Sequence, residues 1–118
     1  MRGVRCPQKP AEDIIMFHYK IFTEGKDRLL AIADTSLIGK TLKHGEAYIE
    51  ISYEFYGREK CEHAQALALA KSATIINAMG NAITELLINN NIADKESVLL
   101  IETKDDHNTI MHAQVVVA

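Results

Sequence analysis

Ile15, Phe17, Tyr19 and Ile21 recur at every second position, with His18 and Lys20 between them, and this alternation predicts a strand with one apolar face. Glu24-Gly25-Lys26-Asp27 supplies a turn and Arg28 to Ala33 a second strand, so the two form a hairpin. A third strand is expected from about Ala47 to Tyr53, where Ala47, Ile49, Ile51 and Tyr53 alternate with Tyr48, Glu50, Ser52 and Glu54. From Glu62 to about Asn90 the chain is rich in Ala, Leu and Ile and carries charge only at Glu62, Lys71 and Glu85. This stretch reads as one long helix, or two broken near Ser72 to Thr74. Leu69, Ile75, Ile76, Met79, Ala82, Ile83, Leu86 and Leu87 would form its apolar arc, opposite Lys71, Thr74, Asn77, Asn81, Thr84 and Glu85. Val98 to Glu102 and Thr109 to Val117 are the last strands, joined by the turn-rich Lys104 to Asn108. The order βββα(α)ββ predicts an α+β domain with a mostly antiparallel sheet of about five strands packed on the helical segment.

Residues 1–13 show no apolar period and read as a flexible N-terminal extension, leaving 14–118 as a single domain. The chain is 118 residues long, 47% hydrophobic and 25% charged, as expected of a globular protein. It has no apolar run long enough for a membrane span and no signal-peptide core, so a cytoplasmic protein is expected. Cys6 and Cys61 are far apart, and free thiols are the default. Net charge is −3, with the first 61 residues nearly balanced and the acidity in the second half. Nucleic-acid binding through charge alone is therefore not supported.

The most informative polar feature is His112 with Gln114 in the last strand. They share a face with Ile110 and Val116, and burying each without a partner would cost about 1 to 3 kcal/mol. Asn77 and Gly80 would be neighbours on the helix surface, and a pocket shared with His112 and Gln114 would satisfy all three polar groups. Gly39-Lys40-Thr41 hints at a phosphate loop, but the motif's first glycine would fall at Asp34. Phe55-Tyr56-Gly57 either stacks on a ligand ring or packs over the sheet while glycine turns the chain. Cys61 is expected at a helix N-cap, with His63 nearby, where a thiolate would be favoured. Cys6, Cys61, His18, His44, His63, His107 and His112, with Asp105 and Asp106, show no metal-site spacing, and no cofactor is called for.

The run Ser36-Leu37-Ile38-Gly39-Lys40-Thr41, then Glu46, Glu54-Phe55-Tyr56-Gly57, Ala73-Thr74-Ile75 with Asn77 and Gly80, and finally His112-Ala113-Gln114 resembles the archaeal DUF424 family over roughly Met16 to Val117. Met111 departs from it, since the family tends to have proline before His-Ala-Gln. The resemblance implies a small archaeal cytosolic protein with no established activity, loosely associated with translation genes. It singles out Asp34, Gly39, Lys40, Glu46, Tyr56, Gly57, Asn77, Gly80, His112 and Gln114, the glycines as backbone or turn positions.

Three readings follow. The first is a noncatalytic binding module for RNA or a protein partner, with Lys40 and Lys43 on an anionic group, Tyr56 stacking, and Asn77, His112 and Gln114 hydrogen-bonding. The second is a small-molecule enzyme or sensor in which His112 works with Lys40 and Asp34 or Glu46. The third is a homo-oligomer joined through the low-charge helix face or through Val115-Val116-Val117 as an exposed strand edge.

Overall fold

Two central strands are apolar on both sides, and they organise the molecule. The computed structural model describes residues 15–104 and 108–116. Its eight strands are β1 (Phe17–Glu24), β2 (Asp27–Asp34), β3 (Thr41–His44), β4 (Ala47–Glu50), β5 (Glu59–Cys61), β6 (Ile75–Met79), β7 (Leu99–Thr103) and β8 (Thr109–Val116). The helices are α1 (Tyr53–Tyr56), α2 (His63–Ser72) and α3 (Asn81–Asn89). All eight strands form one sheet in the order β4-β3-β7-β8-β6-β2-β1-β5. Every pairing is antiparallel except β2 with β6, which run parallel across the long connection through β3, β4, α1, β5 and α2.

The first hairpin forms as the alternation predicts, with Glu24 opposite Asp27 across a two-residue turn. The third strand is shorter than expected. It ends at Glu50, and the Ser52 hydroxyl accepts from the Phe55 amide to start α1, so Tyr53 lies in a helix. β3 and β5 bring the sheet to eight strands rather than five. They span four and three residues, too few to show a period.

The expected long helix is interrupted where Ser72 to Thr74 suggested a break, but the interruption is a strand. The apolar arc proposed for 69–87 therefore dissolves: Ile75, Asn77 and Met79 belong to β6, and Thr84 is fully buried. β2 and β6 occupy the middle of the sheet and contribute residues to cores on both sides. A short strand buried on both faces has no polar alternation to distinguish it from a buried helix.

One core joins Phe17, Leu30, Ile32, Ile76, Ala78 and Ala113 of the sheet to Ala66 and Ala70 of α2 and Ile83 and Leu87 of α3. On the opposite face, Ala31, Ala33, Leu42, Met79, Ile101 and Ile110 pack with Leu37, Ile51 and Tyr56. α1 and the segment after β2 thus cover part of the second face. The proposed extension 1–13, the candidate ligands Cys6, Asp105, Asp106 and His107, and Val117 lie outside the described residues. Among the described residues, no helix is long and apolar enough to cross a membrane.

Candidate functional site

β6 and β8 run antiparallel in a register that sets Asn77 opposite Gln114 and Met79 opposite His112. The Gly80 amide donates to the Met111 carbonyl at 2.8 Å, which makes 80 and 111 a hydrogen-bonded pair. By alternation, 77/114 and 79/112 are non-hydrogen-bonded pairs, the class whose side chains approach most closely. Asn77, His112 and Gln114 consequently share the face opposite α2 and α3. Asn77 reaches His112 and Gln114 from a strand rather than from a helix surface.

Tyr56 completes this cluster from α1. Its hydroxyl donates to Asn77 Oδ1 at 2.9 Å, and burial pushes its pKa up to about 12. The ring is buried and meets Phe55 edge-on with centroids 4.8 Å apart, so it has no free face for a ligand. Phe55 is the more exposed aromatic and stacks on Phe22. With its carbonyl oxygen engaged, Asn77 retains two amide donors beside the carboxamide of Gln114.

His112 is half-buried, and its Nδ1 lies 2.9 Å from the Ala78 carbonyl. A carbonyl only accepts, so Nδ1 carries the proton and neutral His112 presents Nε2 as an acceptor. Burial lowers its pKa, the Ala78 carbonyl opposes that shift, and His44 adds to it. Gln114 departs from expectation because its side chain is exposed, as is that of Val116 beyond it. The strand leaves the covered part of the face after His112, so the desolvation argument holds for Asn77 and His112 and not for Gln114.

The proposed charged members lie elsewhere. Asp34 ends β2 and points to the helix side, where its Oδ2 accepts from the Ala82 amide at 3.0 Å and its Oδ1 from Ile83 at 2.9 Å. It is the N-terminal cap of α3, supplied from 48 residues away, and the local cap position, Gly80, has no side chain to do so. Burial raises the Asp34 pKa against the pull of these two amides, and Glu85 adds to the rise. Gly80 has φ 129°, and a Cβ there would stand 2.5 and 2.7 Å from the Asp34 carboxylate oxygens. Its glycine is a backbone requirement, though not at a helix surface.

Lys40 and Glu46 flank opposite ends of β3, about 13 Å of extended strand apart. Lys43 faces the other side of the sheet from Leu42, and Lys40 precedes β3 at the Thr103 end of β7 whereas His112 pairs with Leu99 at the opposite end, so the two lysines make no common anion site with Asn77 and His112. Gly39 leads into β3 rather than a helix, as the missing phosphate-loop motif implied. Gly57, at φ 83°, passes over β1 where a Cβ would collide with the Tyr19 carbonyl and come within 2.9 Å of the Lys20 Cβ. Cys61 is the buried end of β5 and not a helix cap. Burial, with help from Glu62, pushes its thiol up to about 11, so it is no activated nucleophile. His63 instead stacks on Phe17 at 5.5 Å.

Sequence reasoning overlooked two further polar devices. His18 is buried, with Nδ1 3.0 Å from the Thr35 hydroxyl, and burial and then Lys60 lower its pKa. Asn81 donates from Nδ2 to the Thr109 carbonyl and accepts at Oδ1 from the Met111 amide, continuing the β6–β8 ladder with a side chain. The signal in Asn81 was its place directly after Gly80, legible only once β6 was known to be a strand.

Fold and site together define an α+β domain on one eight-stranded mixed sheet, with a neutral polar cluster on the face opposite α2 and α3. The chain belongs to the DUF424 family, described as "Protein of unknown function", whose model matches residues 22–115. It is also similar to the crystal structure of an uncharacterized conserved protein from Methanopyrus kandleri, at 19% identity and a TM-score of 0.68, over 87% of this chain and 94% of that one. That likeness shows the fold alone. No functionally curated protein matches the chain.

Proposed function

We propose that this protein is a noncatalytic binding module that recognises a protein partner through the sheet face bearing Asn77, His112 and Gln114. The observation that carries this reading is the close cross-strand pair Asn77–Gln114 with the Tyr56 hydroxyl on Asn77 Oδ1. It holds the Tyr56 hydroxyl and the Asn77 carboxamide in place beside the exposed Gln114 at the margin of an apolar core, a composition suited to a protein interface. Lys40 and Lys43 are displaced from this cluster, which favours a protein over the phosphates of RNA. The acid–base alternative loses its Asp34 partner, whose carboxylate serves α3 on the opposite side of the sheet. β7 pairs only with Thr109 to His112, so its side of Val115 and Val116 has no strand partner among the described residues and is open to the homo-oligomer reading.

A photo-crosslinking amino acid at the exposed position 114, in the full chain expressed in its own host, tests the proposal. The expected product is a protein adduct that survives ribonuclease and disappears when Asn77→Ala is added. An RNA adduct, or no adduct above that of an exposed control such as position 85, would refute it.

A further inference from the structure

The outer edge of β1 is only partly covered. β5 pairs with Phe17, His18 and Tyr19 and then ends, whereas β1 continues to Glu24. Alternation fixes where the backbone groups of the remaining residues point. Met16, an even-numbered position, accepts at its carbonyl from the Thr35 amide on the β2 side, so even residues of β1 face β2 and odd ones face outward. The N–H and C=O groups of Ile21 and Thr23 therefore point away from the sheet, past the end of β5. Among the described residues, neither has a backbone or side-chain hydrogen-bond partner beyond the pairing with β2.

Beside this open edge lies a cleft of about 480 Å³ lined by Tyr19, Lys20, Ile21, Tyr53, Glu54, Gly57, Arg58 and Glu59, the last set opposite Tyr19. Its two sides differ in chemistry. Tyr19 and Ile21 project from the helix-covered face and present apolar surface. On the other face the Arg58 guanidinium lies 4.7 Å from the Tyr53 ring centroid, and Lys20 Nζ donates to the Glu54 carbonyl oxygen at 3.0 Å. Neither cation has a carboxylate partner among the described residues.

We infer that this edge accepts an extended peptide segment of a partner protein as an added strand, with an acidic side chain adjacent in its sequence to a bulky apolar one. The free groups of Ile21 and Thr23 supply the backbone hydrogen bonds, and consecutive strand side chains point to opposite faces. One side chain then enters the apolar side of the cleft while its neighbour meets Lys20 and Arg58. Lys20 and Arg58, neither of them paired with Glu54 or Glu59 of the same cleft, receive the acidic side chain, and the missing backbone donor of proline excludes it from the paired positions. This inference rests on the strand edge alone and is independent of the Asn77–Gln114 face.

The test pans a phage library of random twelve-residue peptides against the full-length protein and then synthesises the enriched sequence. Enriched peptides are expected to carry the acidic–apolar pair without proline between or beside its members. Amide exchange followed by NMR should be fast at Ile21 and Thr23 in the free protein and at least tenfold slower with saturating peptide. Arg58→Glu should weaken binding at least tenfold, Arg58→Lys less, and Gln114→Ala not at all, so failure here is separable from failure of the polar face. No enrichment, or a bound peptide that leaves Ile21 and Thr23 exchange unchanged, would overturn the inference. Protection at these amides that rises with protein concentration alone would also overturn it, by making a second copy of the chain the occupant.

Discussion

Gly80→Ala isolates the junction on which β2, β6 and α3 meet. At φ 129° and ψ 154°, position 80 lies in a region accessible essentially to glycine alone, and occupying it with alanine costs about 1–3 kcal/mol. The new methyl would also stand 2.5 Å from Asp34 Oδ2, and the carboxylate must move to admit it. Moving it weakens the caps on the Ala82 and Ile83 amides, and losing a helix cap costs about 0.5–2 kcal/mol. The sum, about 1.5–5 kcal/mol, is a large share of the roughly 5–15 kcal/mol that holds a typical domain together. Urea unfolding of the parent, Gly80→Ala, Asp34→Ala and the double variant measures it. Once Asp34 is already alanine there is no carboxylate to displace, so Gly80→Ala should then cost only the backbone part, with a coupling of roughly 1 kcal/mol or more between the two changes. A Gly80→Ala loss under about 0.5 kcal/mol, or strict additivity in the cycle, would show that the clash and the cap are not linked as described.

Two further outcomes follow from the buried polar groups. His18 and His112 both have pKa values lowered on folding, chiefly by burial, so below the ordinary value of 6.5 the unfolded chain takes up protons that the folded one refuses. Stability should thus decline as pH falls below 6.5 and level off beneath the folded pKa values. Asp34, raised on folding, acts in the opposite sense, so the measurement is the difference in urea midpoint between the parent and His18→Gln across that range; equal slopes would contradict it. Tyr56→Phe removes the donor on Asn77 Oδ1 and leaves a half-buried acceptor unpaired, for a loss of about 1–3 kcal/mol. Adding Asn77→Leu should recover part of that loss in chemical denaturation, and no recovery would mean that the bond is not what holds the pair.

The first hairpin and the final pair of strands were legible in the sequence because each has a periodic or turn signal of its own. Ile15, Phe17, Tyr19 and Ile21 alternate with polar residues, and Glu24 to Asp27 close a two-residue turn whatever lies around them. The stretch Ile75 to Met79 had no such signal. Its neighbours on both sides are helical and its residues other than Asn77 are apolar, so only pairing with β2 and β8 made it a strand.

The candidate site divides the same way. Local chemistry sufficed to mark His112 and Gln114 as polar groups interrupting an apolar strand, while Tyr56 stood out as an aromatic before a turn and Asn77 as a neighbour of Gly80 on an expected helix. Strand register then brought Asn77 beside Gln114, helix α1 laid Tyr56 over them, and the end of the covered face left Gln114 in solvent. Asp34 shows the limit most clearly. Nothing within its own segment says that an aspartate ending β2 caps a helix that begins 47 residues later, since the geometry exists only after β6 has been inserted beside β2. Along the chain, side-chain type and spacing determined the alternating strands and the list of unusual polar residues. The partners of those residues, and the side of the sheet on which each one works, were decided by long-range backbone pairing that no local pattern encodes.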